Sequence, residues 1–322
     1  MMKKMLPGLF ALALLASLSA GARAEDKVRA AIGQKGFWDT LVTQLGSDKG
    51  FFKKEGLDID ITWTSGGGET LQAVLTGAAD VAIAIGTPSC IQAYVKGAPV
   101  RVVGSQFTGA NDLFWYVPSA STIKDKKQME GHTIGFSRPG SSTDLAEHLL
   151  GKTLGVTLKF VSTGGAPETL TQVMSGQLDI GWSVPPFALD KVKSGEVRII
   201  AYGNDVPALA HQSARANLAS MDFLTKRRDV ARRYMKVYAE TVDWMYANND
   251  EAVAYFAQFN KLPPDIAKQG ASFYSHEAMR IVPVQGLTDA IQQAVDFKMI
   301  DKAIPEAEAQ KMIDLVYDPR AK

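Results

Sequence analysis

The stretch Phe136–Asp144, FSRPGSSTD, gathers side chains suited to holding an anion. It reads as a strand end, a turn and then a helix, with Gly140, Ser141 and Ser142 at the helix start and Asp144 in its first turn. Free first-turn N–H groups, two hydroxyls and the positive end of the helix dipole together favour a negatively charged head group. Arg138 adds a planar fork that meets carboxylate, sulfonate or nitrate with two parallel hydrogen bonds. The competing assignment makes Ser141 a helix cap and turns Arg138 to solvent.

Other candidates lie where strands end. Ser65, Gly66 and Gly67 open a helix, and glycine lets backbone approach a ligand closely; an empty tight turn is the alternative. Gly86 and Thr87 follow the apolar run VAIAI, where Thr87 serves equally well as a cap before Pro88. Gln34, Phe37 and Trp38 follow the first expected strand, and Trp182 and Ser183 follow a later one. Aromatic rings at a cleft mouth stack on flat ligands or cover apolar tails, although filling a core suits them as well. Trp63, Trp115 and Trp244 are assigned to packing.

Catalytic signatures do not appear. The four histidines (His132, His148, His211, His276) show no metal-ligand spacing, and no GxSxG, GxGxxG or Walker loop occurs. Cys90 is the only cysteine, which excludes an intrachain disulfide and reads as a small buried hydrophobe. The expectation is therefore a binding protein and not an enzyme, with no cofactor and no metal.

A repeat shows which elements position these residues. Gly66–Ala82, GGGETLQAVLTGAADVA, is echoed by Gly164–Gly181, GGAPETLTQVMSGQLDIG. Glu69, Thr70, Leu71, Val74, Gly77 and Asp80 each find their own kind 99 positions later, and VRVV at 100–103 is echoed by VRII at 197–200. Each copy spells a Gly-rich turn, a helix with Leu71 and Val74 (or Leu170 and Val173) on one face, a glycine stop, and a short apolar strand. Strands also read at KVRAAIG, LDIDITWT, HTIGFS and TLKFVST. Strand–helix alternation implies an α/β fold of two lobes, each a mainly parallel sheet with helices on its faces. Ligands enter such folds beyond the carboxyl ends of the strands, between the lobes.

The expected boundaries follow. Lobe I takes residues 25–112 and 204–322, and lobe II takes 113–203, with crossings near Asn111–Trp115 and Ala201–Asn204 acting as hinge strands. After Val230 the pattern turns helical (RDVARRYMKVYAETVDWMYAN, EAVAYFAQF, DIAKQGASFY, TDAIQQAVDFKMI, EAEAQKMIDLV), a region expected to pack on lobe I. The basic cluster Lys226, Arg227, Arg228, Arg232 and Arg233 reads as a solvated helix face, or else as a docking surface for a membrane protein.

The chain starts MMKK, runs apolar from Met5 to Leu18 and reaches Ala22-Arg23-Ala24. These are the parts of a signal peptide cleaved after Ala24, too short and too interrupted by Pro7 and Gly8 to span a membrane. No cysteine sits at that site to carry a lipid. Cleavage removes Lys3, Lys4 and Arg23, so that 35 basic residues become 32 against 34 acidic ones, a net charge of −2. Such a balance argues against a nucleic-acid partner. A soluble, monomeric protein of the periplasm is expected.

Taken in order, GFFKKEGLDIDI (50–61), SGGGETLQAVLTGAADVAIAIGTPS (65–89), GHTIGFSRPGSS (131–142) and QVMSGQLDIGWSVPP (172–186) resemble the periplasmic solute-binding proteins of ABC importers. The resemblance is to the nitrate/sulfonate/taurine branch with its thiamine-pyrimidine synthase-like relatives, and it covers most of the mature chain. It implies two α/β lobes closing like a hinged trap on a small, anionic organic solute, which is handed to an inner-membrane ABC permease. A secreted receptor for a membrane sensor and an exported enzyme on the same fold are the alternatives. No residue set selects nitrate, taurine or an alkanesulfonate.

Overall fold

The computed structural model describes residues 25–321; the expected signal peptide, residues 1–24, lies outside the described residues. The chain begins with β1 (Asp26–Gly33), two short helices α1 (Val42–Asp48) and α2 (Phe51–Lys54), and β2 (Leu57–Thr64). Helix α3 (Gly67–Leu75), β3 (Val81–Gly86), α4 (Thr87–Val95) and β4 (Val100–Thr108) follow. A second unit is built from β5 (Phe114–Pro118), β6 (Thr133–Phe136), α5 (Ser142–Leu154), β7 (Lys159–Ser162), α6 (Ala166–Met174), β8 (Gly181–Ser183), α7 (Leu189–Ser194) and β9 (Val197–Tyr202). The chain then returns to the first sheet as β10 (Ser213–Ser220) and ends in helices α8 (Met221–Lys226), α9 (Arg228–Ala247), α10 (Asn249–Asn260), α11 (Pro264–Ala271), α12 (Leu287–Asp296) and α13 (Glu306–Ala309).

The fold is α/β, and its sheets are mixed where mainly parallel ones were expected. The first sheet runs β2-β1-β3-β10-β4; β1 is parallel to β2 and β3, whereas β10 is antiparallel to both neighbours. In the second unit β5 pairs antiparallel with β8 and β9, while β6 and β7 pair in parallel and an Ile134–Ile180 bridge continues that ladder. The cause is connectivity. Parallel neighbours need a crossover helix between them, but β5 and β10 enter their sheets straight from the passages between the units. Those passages are loops and 3-10 turns (Gly203–Asp205, Pro207–Leu209) and not the hinge strands expected. They touch each other: the Gly203 N–H donates to the Leu113 carbonyl at 2.7 Å.

The repeat is repeated in space. Thr64 and Thr163 each share a 2.6 Å hydroxyl–hydroxyl bond with the threonine six residues on, Thr70 and Thr169. Thr70 and Thr169 in turn donate to the Gly66 and Gly165 carbonyls at 3.0 and 2.8 Å. Thr64 and Thr163 also reach the neighbouring strand, at the carbonyls of Ile32 and Phe136. Gly77 and Gly176 take left-handed backbone (φ 75° and 74°) just past the helix, where a side chain is penalised. Asp80 and Asp179 each accept the backbone N–H of a partner strand, from Arg29 and Thr133, both at 2.9 Å.

The helical region packs mainly on the first sheet. On α9 the residues Val230, Tyr234, Val237, Tyr238, Val242 and Met245 are all buried, as their spacing requires; fully burying one such apolar side chain stabilises by roughly 1.5–3 kcal/mol. Helix α11 also reaches the second unit, where Ile266 joins the core around Phe114 and Leu189. The last expected helix stops early. After Met312 the chain extends, Ile313 bridges to Val102, and Asp314 N–H donates to the Val102 carbonyl at 2.8 Å. Strand β4 is the edge of its sheet, and its unpaired backbone groups capture the segment.

The basic cluster is a set of fasteners. Arg233 is largely buried, binding Asp26, Asp229 and the Glu55 carbonyl, and Arg228 forms a two-pronged pair with Asp314 at 2.7 and 2.8 Å. Arg232 bonds Asp229, Lys226 pairs with Asp222, and Arg227 donates to the Lys27 carbonyl. The expected solvated face holds for Lys226, Arg228 and Arg232, which are exposed; Arg233 departs from it because strand β1 lies alongside and supplies Asp26. Trp63, Trp115 and Trp244 do pack, against Phe259, within the core and against Phe51 respectively. Cys90 is buried, and burial pushes its thiol pKa up.

Candidate ligand-binding cleft

A cavity of about 320 Å³ opens between the units where helices begin. On the first-unit side α3 contributes Ser65, Gly66, Gly67 and Gly68, the end of β1 contributes Gly33 and Gln34, and Gly86 ends β3. On the other side stand Arg138, Ser141, Ser142 and Thr143 at the start of α5, Gly165 and Glu168 at α6, and Trp182 from β8. Nine of the sequence candidates thus line it: Gln34, Ser65, Gly66, Gly67, Gly86, Arg138, Ser141, Ser142 and Trp182.

The start of α5 shows how local sequence makes a binding surface. Ser141 takes extended backbone, and its hydroxyl accepts the Asp144 N–H at 3.2 Å. Asp144 accepts the Gly140 N–H at 2.7 Å, where Gly140 sits at φ 75°. This leaves the first-turn N–H groups of Ser142 and Thr143 without intrahelical acceptors. Ser141 is thus a cap and a cleft residue together. Trp182 is held by Nε1 donating to Thr163 Oγ1 at 3.3 Å.

Four candidates have other roles. Trp38 is fully buried, edge-on to Phe256 and hydrogen-bonded through Nε1 to Tyr246 Oη, so it is core. Its neighbour Phe37 takes the place at the cleft, packing edge-on against Phe187 of the second unit with centroids 5.3 Å apart. Thr87 donates its hydroxyl to the Ser213 carbonyl. Ser183 donates to the Phe187 carbonyl at 2.9 Å. The Gly140 carbonyl is an inter-unit clasp, accepting Ser89 Oγ at 2.7 Å and Gln92 Nε2 at 3.4 Å from α4.

The units also interlock through glycines. A Cβ on Gly86 would lie 2.8 Å from the Ser142 backbone nitrogen, so the start of α5 seats directly on the end of β3. Arg138 crosses to the first unit and lies over α3, where a Cβ on Gly68 or Gly66 would meet its guanidinium at 2.0 and 2.6 Å. That guanidinium is half-buried and makes no hydrogen bond among the described residues; burial lowers its pKa while nearby Glu69 opposes the shift. Gln34 reaches the other way, its Nε2 lying 2.9 Å from the Cβ position of Gly165.

At the cleft floor sits a group that the sequence does not announce. Arg215 on β10 donates Nε to Asp39 at 3.0 Å and to Gln106 at 3.1 Å, and Nη2 to Asp112. Asp39 and Asp112 are both buried, and each keeps one carboxylate oxygen without a hydrogen-bond partner. Burial raises the Asp112 pKa to about 6, with Arg215 opposing and Asp39 assisting the rise. The residues involved come from three distant stretches, around positions 39, 106–112 and 215, so no local pattern points to them. Glu168 and Gly165, in contrast, were findable as the repeat counterparts of Glu69 and Gly66. Among the described residues no group of three or more His, Cys, Asp or Glu is placed to hold a metal, and no helix is long and apolar enough to cross a membrane.

Comparison with known proteins bears on the fold and the family. A Bacillus subtilis protein named "Putative binding protein YtlA" is 24% identical over 247 residues, 72% of this chain and 71% of its own. The periplasmic aliphatic sulphonate binding protein SsuA from Escherichia coli shares the fold with a TM-score of 0.71 at 16% identity, over 88% of this chain and 91% of that one. The desulfurization enzyme DSZB has the fold too (TM-score 0.61, 15% identity, 88% and 96% coverage), so the architecture serves binding and chemistry alike. The model of the family described as NMT1/THI5 like matches residues 42–252, and the chain belongs to that family.

Proposed function

We propose that this protein is a periplasmic receptor that closes two lobes, 25–112 with 204–322 and 113–203, on a small anionic organic solute and delivers it to an inner-membrane ABC permease. The observation that carries the reading is Arg138, an unpaired guanidinium from one unit lying over the helix start of the other, beside the free N–H groups of α5. A carboxylate or sulfonate placed there gains charge-assisted bonds from Arg138 and the start of α5, both of the second unit, and faces the Ser65–Gly67 backbone of the first; contacts from both units favour the closed arrangement. The sulphonate-binding neighbour and the family membership support the class of ligand. Export rests on the apolar N-terminal run and its Ala22-Arg23-Ala24 site.

The test is a thermal-shift screen of the purified protein against alkane- and arylsulfonates, aromatic carboxylates and nitrate. A ligand at a hundredfold over its Kd adds about 2.7 kcal/mol and raises Tm by several degrees. Arg138→Met should then weaken the hit at least tenfold while leaving the ligand-free Tm unchanged. Silence from every anion, or a hit indifferent to Arg138→Met and to Ser141→Ala, sinks the reading.

A further inference from the structure

The two units also meet along the middle of α5, away from the cavity. There the His148 ring is held between two phenylalanines, Phe160 of β7 with centroids 4.2 Å apart and Phe297 at the end of α12 at 4.8 Å. Phe160 belongs to the same unit as His148, whereas Phe297 comes from the first unit, so the second contact exists only while the units are together. One turn further along α5, Lys152 reaches Asp296, the residue before Phe297, at 3.8 Å. With the Ser89 and Gln92 bonds to the Gly140 carbonyl, these contacts fasten α5 to α4 and α12. His148, Lys152, Asp296 and Phe297 all lie outside the cavity lining, so this seam does not depend on what the cleft holds.

The seam is a poor place for a charged ring. His148 Nδ1 is shut off from solvent and has no hydrogen-bond partner among the described residues. Few charges surround it. On its own helix Asp144, one turn earlier, favours protonation, but that carboxylate is itself buried and accepts the Gly140 N–H. Glu147 is fully buried, and burial holds its carboxyl well above the usual range. Lys152 and Asp296 offset one another, Lys159 beside Phe160 and Lys298 beside Phe297 are exposed cations, and α4 carries no charged residue. Burial therefore outweighs Asp144 and lowers the His148 pKa. Any attraction of Phe160 for a positive ring is common to the open and closed arrangements, since the two residues share a unit.

We infer that the contact of α5 with the end of α12 is an acid-sensitive clasp: with His148 neutral it holds the two units together, and protonation of His148 frees α5 from Phe297 and lets the cleft open. Opening returns the ring to water, where its pKa is about 6.5. A base whose pKa is lower in the closed arrangement than in the open one leaves closure undisturbed above the open value, and closure weakens as pH falls below it.

The experiment is pulsed electron paramagnetic resonance on the purified protein with no ligand added, with nitroxides on Gln72→Cys and Thr171→Cys, exposed counterparts on α3 and α6 of the two repeat copies. The buried Cys90 stays unlabelled. The expected result is a short inter-label distance that dominates at about pH 8, with a population at least threefold smaller at about pH 5, replaced by a longer one. His148→Phe, which keeps a ring and cannot take a proton, and His148→Gln should each give the same distribution at both pH values. Phe297→Ala, which removes the first unit's half of the contact, should show the longer distance already at pH 8. A distribution that does not change with pH, or that shortens in acid, overturns the inference. A pH response that survives in both His148 variants also overturns it, because another group then carries the response, and so does a Phe297→Ala protein that behaves as the parent does.

Discussion

The two copies of the repeat differ least where they build structure and most where they face the cleft. Thr64–Thr70 and Thr163–Thr169, the carbonyls of Gly66 and Gly165, and the stops at Gly77 and Gly176 agree bond for bond. Facing the cavity, one copy receives a cation and hides its own acid, since Arg138 lies over Gly66 while Ser65 holds Glu69. The other receives an amide and leaves its acid open, with Gln34 over Gly165 beside Glu168. A duplicated element keeps the bonds that fold it, and a change at one loop position, Ser65 against Gly164, reassigns a carboxylate from helix capping to the cavity lining.

The largest expected difference between the copies lies at their aspartates. Asp80 is nearly buried and accepts the Arg29 N–H at 2.9 Å and its guanidinium at 2.6 and 3.3 Å; Asp179 is half-exposed. Urea unfolding should show Asp80→Ala costing about 2–3 kcal/mol and Asp179→Ala about 1 kcal/mol or less, since charged bonds away from water count for more. Equal costs would break the distinction.

Closure should be sensitive at one glycine and tolerant at another. Gly86→Ala presses a methyl on the backbone of Ser142, so affinity for any ligand identified should fall at least tenfold with little change in folding stability. Gly165→Ala meets only the ends of the Gln34 and Glu168 side chains, which can swing away, and should cost threefold or less. A reversed order in calorimetry would mean that the units close along another path.

The threonine pairs sharpen the claim of equivalence. Thr70→Val and Thr169→Val each remove the hydroxyl–hydroxyl bond and one of the bonds to a glycine carbonyl that keeps its backbone donor, so each should cost about 1 kcal/mol, by the usual net value of a hydrogen bond. Values more than twofold apart would show that the two copies do not bear load alike.

The smallest effect concerns titration. Hydrogen bonds from the Ser65 side chain and then its backbone hold Glu69 below its ordinary pKa. A carboxyl whose folded value is depressed contributes stability above its unfolded pKa, and that contribution is lost as pH falls through the folded value. Ser65→Ala should therefore move the Glu69 titration upward, as read by carboxyl NMR, and soften this acid-side loss. A Glu69 curve indifferent to Ser65→Ala would remove the capping account.

Much of the fold was legible because its cues are local. Gly-rich turns, left-handed glycine stops, the serine cap of α5 and the apolar stripe of α9 each act within a few residues, and the sequence states them openly. Cleft candidates followed wherever a strand ends and a helix begins, which is how Ser65–Gly67 and Arg138–Ser142 were found. The same rule chose Trp38 over Phe37, because a one-residue difference in which side chain faces the cleft depends on the loop's path and not on residue type.

By itself, then, the sequence determined the repeat, its caps and the kinds of groups set at helix starts, all of which arise from short-range bonding. The tertiary structure alone decided the strand directions, the crossing of Arg138 and Gln34 onto the opposite copies, and the floor where Arg215 meets Asp39 and Asp112 from 176 and 103 residues away. Contacts of that span leave no periodic trace, because what unites those side chains is the burial of two carboxylates around one guanidinium once both sheets are in place.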